Sequence, residues 1–167
     1  MKTLTLLRHA KSSWRNTGLA DRDRPLNKRG EKDAPDMGRR IGAAGVRPSL
    51  ILSSPAVRAW STAKIVADVL NYPTEFLQRE NQLYLASLDD LLDVVVQQDE
   101  GFNNLMIVAH NPGLTDFANF LSPGLTNNLP TAGVVSVTID RDSWNLFERP
   151  ATELVYHDWP KNKVDHE

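Results

Sequence analysis

Two histidines each follow a short apolar segment, and their placement suits a catalytic role. His9 comes after Thr3–Leu7 and Arg8, and His110 comes directly after Leu105–Ala109. Histidine acts in enzymes as a nucleophile, a general acid or base, or a metal ligand. A single histidine in such a setting is more often structural. Two of them in the same setting favour a shared catalytic site.

Arginines close to these histidines indicate phosphoryl chemistry. Arg8 directly precedes the first histidine, and Arg58 falls in the first turn of a helix expected after Ser54. The N-terminus of a helix offers free N–H groups and a positive dipole end, and both favour a bound anion. Arginine itself binds phosphate oxygens through paired hydrogen bonds. The alternative is that Arg58 is a surface residue on an exposed turn.

The composition excludes several other chemistries. The chain has no cysteine, so a thiolate nucleophile, a disulfide and a cysteine-based metal site are ruled out. No carboxylate or third histidine stands at a recognisable ligand spacing from His9 and His110. We therefore expect no metal and no other cofactor. His157 and His166 lie in a polar C-terminal segment and are assigned no role.

Strands and helices alternate along the chain, as judged from apolar runs and from apolar residues at helical spacing. The predicted strands are Thr3–Leu7, Ser49–Leu52, Thr74–Leu77, Leu105–Ala109 and a hairpin of Val134–Ile139 with Trp144–Phe147. The predicted helices run from an Asn27 cap to Ala44 before Gly45, from a Ser54 cap to Leu70, from Leu88 to Gln98 and from Pro112 to Leu121. We expect Pro35 to kink or divide the first helix. The second helix is expected to bury Val57, Ile65, Val66 and Val69.

This alternation predicts an α/β fold, a three-layer α/β/α sandwich whose mainly parallel sheet has an antiparallel edge strand. The length of 167 residues predicts a single domain over residues 1–167. In such folds ligands bind beyond the carboxyl ends of the strands. Because parallel strands end at the same rim, we expect His9 and His110 to meet there.

The charge distribution bears on partners and location. A net charge of −2 argues against nucleic acid or an anionic membrane as the main partner. Basic residues nevertheless crowd the first quarter of the chain, either as a solvated face or around an anionic substrate: Arg15, Arg22, Arg24, Lys28, Arg29, Arg39 and Arg40. No apolar run approaches the roughly 18 residues of a membrane span. Arg8 interrupts the apolar start too early for a signal peptide, so we expect a cytoplasmic protein.

Three motifs, in this order, resemble those of the histidine phosphatase superfamily. The matching segments are Leu6–Ala10, with alanine where the Arg-His-Gly signature has glycine, Ser53–Ala59 with Thr62, and Val108–Gly113. Within the superfamily the chain is most similar to the SixA-like phosphohistidine phosphatases. The segments that carry this similarity are Arg8–Trp14, Asp23–Asn27 with Gly30, and His110–Leu114.

The resemblance implies a phosphoglycerate mutase-like fold and a covalent phosphohistidine intermediate. It implies that His9 attacks phosphorus while Arg8, Arg58 and His110 bind the phosphoryl oxygens. His9 must then be neutral at its attacking nitrogen, with a backbone carbonyl as the expected partner of its other nitrogen. The further candidates for substrate binding are Arg24, Ser12, Ser13 and Asn111. The alternative for Arg24 is that it is a surface arginine in a loop.

The general acid that phosphomonoesterases of this superfamily present between the second and third motifs is hard to find. Glu80 and Asp89 are the candidates, but Asp89 and Asp90 also suit the start of a helix. Phosphohistidine needs less help from an acid than an alkyl phosphate, because its imidazole leaving group has a conjugate acid with a pKa of about 6.5. The missing acid and the SixA-like motifs therefore favour the same substrate class.

Three functions stay open from the sequence. The first is a phosphatase acting on a phosphohistidine-containing protein. The second is a phosphomonoesterase acting on a small phosphorylated metabolite, with Glu80 or Asp89 as the acid. The third is a phosphate-binding module without turnover, which would not require a nucleophilic histidine. The sequence does not indicate the oligomeric state.

Overall fold

The computed structural model describes residues 1–162, which form a six-stranded sheet with helices on both sides. The strands are β1 Lys2–Arg8, β2 Leu50–Ser53, β3 Gln78–Arg79, β4 Asn104–Ala109, β5 Val134–Ile139 and β6 Thr152–Asp158. Their order across the sheet is β3-β2-β4-β1-β5-β6. β3, β2, β4 and β1 pair in parallel, whereas β5 pairs antiparallel with both β1 and β6. The predicted mainly parallel sheet with an antiparallel edge is confirmed.

Four α-helices within the described residues cover the two faces of the sheet. They are α1 Lys28–Ala43 and α2 Val57–Val69 on one face, and α3 Leu88–Val96 and α4 Gly113–Leu121 on the other. Alternate side chains of a strand point to opposite faces. Accordingly, Leu4 and Leu6 of β1 join the core under α3 and α4, whereas Leu7 joins the core under α1 and α2. The three-layer α/β/α sandwich is confirmed. None of these helices is long and apolar enough to cross a membrane.

The first helix begins and ends where the sequence predicts, but it is not divided at Pro35. The side chain of Asn27 accepts a hydrogen bond from the N–H of Gly30 at 2.8 Å. Beyond the last turn, Gly45 takes the left-handed conformation, with φ at +86°, that commonly ends a helix. A proline removes one N–H hydrogen bond. Burial of Ala34, Met37 and Ile41 on the same helix compensates, so α1 runs through Pro35 as one element.

The predicted strand at Thr74–Leu77 is wrong. Residues Thr74–Phe76 form a short 3₁₀ turn, and the strand that follows is only β3, two residues long. The β-branched and aromatic side chains in this segment favoured a strand, because such residues suit a half-buried sheet surface. Thr74 and Phe76 are instead exposed.

The predicted hairpin is also wrong in its second strand. β5 forms as expected, but its partner is β6 rather than Trp144–Phe147. Trp144 and Leu146 instead lie in the loop between the two strands and insert into the core under α3 and α4. The indole N–H of Trp144 donates to the carbonyl oxygen of Phe102 at 3.0 Å. The apolar character of this segment therefore reflects core filling from a loop.

Helix α2 buries smaller side chains than predicted. Of the four expected residues only Val66 is fully buried, and Val57, Ile65 and Val69 are half-buried. Apart from Val66, the buried apolar residues of α2 are small: Ala59, Ala63 and Ala67. Small residues allow α2 to approach α1 closely. Gly38 of α1 packs tightly on Val69 of α2, and a Cβ added at Gly38 would lie 3.1 Å from the Cβ of Val69.

We expect the substitution Gly113→Ala to lower the free energy of unfolding by about 1–3 kcal/mol or more, because it overpacks a rigid contact. A Cβ at Gly113 would lie 2.0 Å from the backbone carbonyl oxygen of Ala86. Gly42→Ala in α1 is the matched control, since its Cβ would meet only the flexible end of Leu70, at 3.2 Å. Urea denaturation measures both, and equal stability of the two variants would contradict the steric argument.

Candidate active site

His9 and His110 lie side by side where β1 and β4 end. The two strands are parallel neighbours, with Arg8 in register with Ala109. The backbone N–H of His9 donates to the carbonyl oxygen of Ala109 at 3.2 Å, and the two imidazole ring centres are 5.2 Å apart. Parallel pairing thus brings both predicted histidines to the same rim of the sheet.

The ring of His9 has a defined orientation and tautomer. Its Nδ1 atom lies 2.8 Å from the carbonyl oxygen of Ala10. A carbonyl oxygen only accepts, so Nδ1 carries the proton and Nε2 keeps its lone pair. The expected backbone partner is therefore present. The loop itself is held by Thr62, whose hydroxyl accepts from the N–H of Ala10 at 2.9 Å and donates to the carbonyl oxygen of Arg58 at 2.7 Å.

Ser54 is a partner of His110 rather than the cap of a helix. Its hydroxyl oxygen lies 2.7 Å from Nε2 of His110 and also accepts from the N–H of Ala56 at 3.2 Å. Helix α2 begins at Val57, so the predicted helix start is wrong by two residues. On the other side of the imidazole, Nη2 of Arg58 approaches Nδ1 at 3.4 Å. A guanidinium only donates, so Nδ1 is the acceptor and Nε2–H donates to Ser54.

Both predicted arginines point into the same region. Arg58 lies in the first turn of α2 and is only 3% exposed, which rules out an ordinary surface arginine. Arg8 donates from Nη1 to the carbonyl oxygen of Leu129 at 2.9 Å. Its Nε is buried and has no hydrogen-bond partner within residues 1–162. A buried donor without a partner is unfavourable unless a ligand uses it.

These side chains line a cleft of about 300 Å³ at the rim of the sheet. The residues that line it are Arg8, His9, Lys11, Ser12, Trp14, Arg24, Arg58, Leu85, His110, Asn111 and Thr131. Arg24 is 7% exposed and donates to the hydroxyl of Ser12 at 2.8 Å, so it is not a surface loop arginine. Four of these residues, Lys11, Trp14, Leu85 and Thr131, have no feature in the sequence that predicts a place in the site, although Lys11 and Trp14 lie within the Arg8–Trp14 motif.

Ser13 and Asn111 do not offer their side chains to the cleft. Ser13 lies outside it, and its hydroxyl accepts from the N–H of Arg15 at 3.1 Å. Asn111 lines the cleft, but its NH₂ donates to Asn128 and Leu129 and its carbonyl oxygen accepts twice from Thr115. An amide has two donors and two acceptor positions, so this one is fully used. Asn111 therefore fixes the loop after β4.

The loop after β1 is pinned against the start of α1. The N–H of Asn27 donates to the carbonyl oxygen of Lys11 at 3.0 Å, and the N–H of Ser13 donates to that of Pro25 at 2.8 Å. A Cβ at Gly30 would lie 2.2 Å from the Lys11 carbonyl oxygen, so only glycine permits this approach. This contact explains why residue 30 of this chain is glycine.

Comparison with known proteins agrees with this geometry. The sequence profile of the histidine phosphatase superfamily (branch 1) matches residues 4–83. An uncharacterised chloroplastic protein of Arabidopsis thaliana is 31% identical over 155 residues, which cover 86% of this chain and 69% of that protein. The SixA protein of Agrobacterium tumefaciens is 25% identical, with a TM-score of 0.78 over 95% of this chain and 98% of that one. The protein histidine phosphatase SixA, solved in complex with tungstate, is 23% identical, with a TM-score of 0.77 over 95% of this chain and 97% of that one.

The chain belongs to the histidine phosphatase superfamily. The phosphoglycerate mutase-like fold that the sequence resemblance implied is confirmed, and the fold is SixA-like. Family membership and the similarity to the Agrobacterium tumefaciens SixA protein support phosphatase activity. Within residues 1–162 of this histidine phosphatase, no group of three or more histidine or carboxylate side chains is arranged to hold a metal ion. His166 lies outside the described residues.

The two histidines of this histidine phosphatase are held neutral. Burial lowers the pKa of His9 to about 4, with the positive charges of Arg58, Arg8 and Arg24 acting in the same direction against the Ala10 hydrogen bond. Burial, together with His9 and Arg58, lowers the pKa of His110 to about 3. A neutral imidazole with a free Nε2 is the form that can attack phosphorus.

Acidification is expected to destabilise the protein for the same reason. In the unfolded chain histidine takes up a proton near pH 6.5, whereas the folded protein protonates His9 and His110 only near pH 4 and 3. The unfolded state therefore binds more protons in this interval, so the free energy of unfolding should fall as the pH drops from about 6.5 towards 4. Urea denaturation at pH 5 and pH 7 measures the difference.

The control for this pH effect is His110→Gln, which removes one titrating ring and retains a side-chain N–H for Ser54. Its free energy of unfolding should depend less on pH than that of the wild type, because one proton fewer is taken up on unfolding. The same pH dependence in both proteins would show that His110 is not buried in the neutral form.

Neither predicted acid lies in the cleft. The carboxylate of Glu80 accepts from the N–H of Gln82 at 3.2 Å, and Glu80 does not line the cleft. Asp89 is exposed in the first turn of α3, where Ser87 and Asp90 form a capping box. No Asp or Glu among residues 1–162 lines the cleft. The helix-start interpretation of the Asp89–Asp90 pair therefore fits better than a catalytic one.

Asp21 is the residue that the sequence analysis missed. It lies in a 3₁₀ turn of the long loop and receives hydrogen bonds from Arg58 at 3.0 Å, from Arg24 at 3.2 Å and from the hydroxyl of Tyr84. The Tyr84 hydrogen bond and the two arginines lower the pKa of Asp21 to about 2. A carboxyl group this acidic stays ionised, so it orients the arginines and does not supply a proton. The only sequence signal was its position two residues before Asp23.

We expect Asp21→Asn to raise KM for a phosphorylated substrate by about tenfold, with a smaller change in kcat, because one charge-assisted hydrogen bond to an arginine is worth about 1.5–3 kcal/mol. Steady-state kinetics separates the two parameters. Asp23→Asn is the matched control, since Asp23 is exposed in the same turn. Wild-type kinetics in Asp21→Asn would show that the arginines keep their positions without it.

Proposed function

We propose that this histidine phosphatase removes the phosphoryl group from phosphohistidine on a protein, without a metal and through a phospho-His9 intermediate. The observation that carries the proposal is a neutral His9 whose Nε2 is unblocked, within one cleft that also contains Arg8, Arg58 and His110. A site that only bound phosphate would not need a buried nucleophile held in this tautomer. We also propose that residues 1–167 act as a single domain; a cytoplasmic location stays a prediction.

In the first step, Nε2 of His9 attacks phosphorus in line as the P–N bond of the substrate breaks. The departing imidazole keeps the electron pair of that bond and takes up a proton from a solvent water molecule. Arg8 and Arg58 donate to the equatorial oxygens, where the charge of the transition state spreads. His110 donates to the third oxygen only when Nδ1 carries a proton, because this nitrogen otherwise accepts from Arg58 and Nε2–H is used by Ser54. Arg24 and Ser12 supply further donors at the edge of the same cleft.

In the second step, water attacks the phosphorus of phospho-His9. The bond between phosphorus and Nε2 breaks, inorganic phosphate leaves, and His9 returns to its neutral state with the proton on Nδ1. The arginines serve both steps, because the same oxygens carry the charge each time.

The proposed substrate class is supported by the lining of the cleft, which includes no Asp or Glu among residues 1–162. An alkoxide leaving group gains about 10²–10⁴-fold from a general acid, whereas an imidazole can already carry its proton near neutral pH. Glu80 and Asp89 lie outside the cleft, and Asp21 is ionised and paired with arginines. These positions favour phosphohistidine over the small-metabolite phosphomonoesters that the sequence also allowed.

The test compares turnover of a phosphohistidine peptide with that of a panel of sugar phosphates, each with and without EDTA. We expect efficient hydrolysis of the peptide, little of the sugar phosphates, and no effect of EDTA. Activity on the sugar phosphates alone would refute the proposed substrate class. Activity that EDTA removes and zinc or magnesium restores would refute the metal-independent mechanism.

A further inference from the structure

Two further clefts adjoin the active-site cleft and carry an excess of positive charge. One, of about 700 Å³, runs along the loop after β1 and the start of α1, and the other, of about 320 Å³, lies between α1 and the segment after β6. They meet at Lys11 and Arg29, and together we call them the basic groove. The charged residues lining the basic groove are Lys11, Arg15, Lys28, Arg29 and Lys161 against Glu31 and Asp33.

The basic groove is continuous with the active-site cleft. Lys11, Ser12 and Trp14 line both, and Thr131 joins the cleft to the smaller part of the groove. A polypeptide whose phosphorylated side chain reaches His9 can therefore extend from the cleft into the basic groove. A free metabolite that fills only the 300 Å³ cleft would not use this surface.

One of the two carboxylates in the groove is already neutralised within the protein. Asp33 pairs with Arg29 at 3.2 Å. Arg15 and Lys28 are exposed, and neither forms an ion pair among those found in residues 1–162. Since Arg29 and Asp33 cancel each other, the excess positive charge comes from four exposed side chains, Lys11, Arg15, Lys28 and Lys161, against Glu31. Exposed positive charge of this kind attracts an acidic partner.

Trp14 lies where the cleft and the groove meet. Its side chain is 73% exposed, and the guanidinium carbon of Arg24 lies 3.5 Å from the centre of its ring. An exposed tryptophan held by a stacked arginine offers a large apolar contact of low flexibility, which is typical of residues that dominate protein interfaces.

We propose that the basic groove binds an acidic segment next to the phosphohistidine of the protein substrate. The inference rests on the proposed function and names the surface that selects among phosphohistidine proteins. Opposite charge raises the rate of encounter, and Trp14 anchors the segment beside the cleft. The groove therefore contributes to substrate affinity and leaves the chemical step unchanged.

The experiment uses two phosphohistidine peptides that differ only in their flanks, four glutamates in one and four lysines in the other. We expect the wild type to hydrolyse the glutamate-flanked peptide with a kcat/KM about tenfold or more above that for the lysine-flanked peptide at low ionic strength, with the preference shrinking as salt is added. The double variant Arg15→Glu/Lys28→Glu should lose or reverse this preference. Lys64→Glu, an exposed reversal on α2 away from the groove, is the control and should keep it.

The outcomes separate this inference from the proposed function. Equal hydrolysis of the two peptides by the wild type would overturn the docking surface while leaving the phosphohistidine assignment intact. An unchanged preference in Arg15→Glu/Lys28→Glu would also overturn it. If neither peptide is hydrolysed while sugar phosphates are, the proposed function fails and this inference fails with it.

Discussion

Replacing His9 by alanine is expected to abolish the acid-labile phosphoenzyme and to reduce turnover by about 10³-fold or more, as is usual when a nucleophile is removed. The reason is that His9 offers the one unprotonated ring nitrogen not already bonded within the cleft. Nε2 of His110 is bonded to Ser54, and its Nδ1 faces Arg58. Brief incubation with labelled phosphohistidine peptide, followed by an alkaline quench, detects the intermediate.

A second variant separates chemistry from folding. The side-chain NH₂ of His9→Asn can still donate to the carbonyl oxygen of Ala10, so it retains the local contact without a nucleophilic nitrogen. We expect it to be folded and equally inactive. His157→Ala, on the edge strand β6, is the histidine control and should label like the wild type. Equal labelling of wild type and His9→Ala would show that another residue carries the phosphoryl group.

Replacing Arg58 by alanine is expected to reduce kcat/KM by about 10²- to 10³-fold, the range found when one preorganised donor to a developing anion is lost. Arg58 is buried, contacts the carboxylate and the carbonyl oxygen of Asp21, and approaches His110. It is thus fixed in place before substrate arrives. Kinetics with the phosphohistidine peptide measures the loss.

Arg58→Lys tests whether charge alone accounts for this effect. Lysine has a compact ammonium group in place of the planar fork, so it cannot hold Asp21 and a phosphoryl oxygen in the same geometry. We expect it to recover only a small part of the loss. Arg79→Ala is the control, because Arg79 stacks on Trp60 outside the cleft, 3.8 Å from the ring centre. Wild-type activity in Arg58→Ala would refute the role proposed for Arg58.

The parts of the site that could be predicted from the sequence are those that the main chain alone positions. His9 and His110 directly follow buried strands, and parallel pairing of β1 with β4 is sufficient to bring them together. Arg58 is fixed by its place in the first turn of α2. In the same way, the alternation of strands and helices predicted the three layers, because the central strands are apolar runs and the helices have apolar residues at helical spacing.

The parts that could not be predicted depend on contacts between segments far apart in the chain. Asp21 and Tyr84 are 63 residues apart, and nothing local in a polar loop marks Asp21 as the partner of two arginines. Ser54 has the local pattern of a helix cap, yet its hydroxyl is used by His110. Trp144 and Leu146 have the pattern of a strand, but they fill the core from a loop.

Thr62 has a consequence for how this site can change. Its hydroxyl accepts from the N–H of Ala10 beside His9 and donates to the carbonyl oxygen of Arg58. The loop after β1, which contains His9, and the start of α2, which contains Arg58, therefore shift together when either is displaced. Substitutions around the cleft can therefore adapt the site to a different leaving group. The distance between His9 and Arg58 stays the same, because it is set by Thr62, which does not contact the substrate.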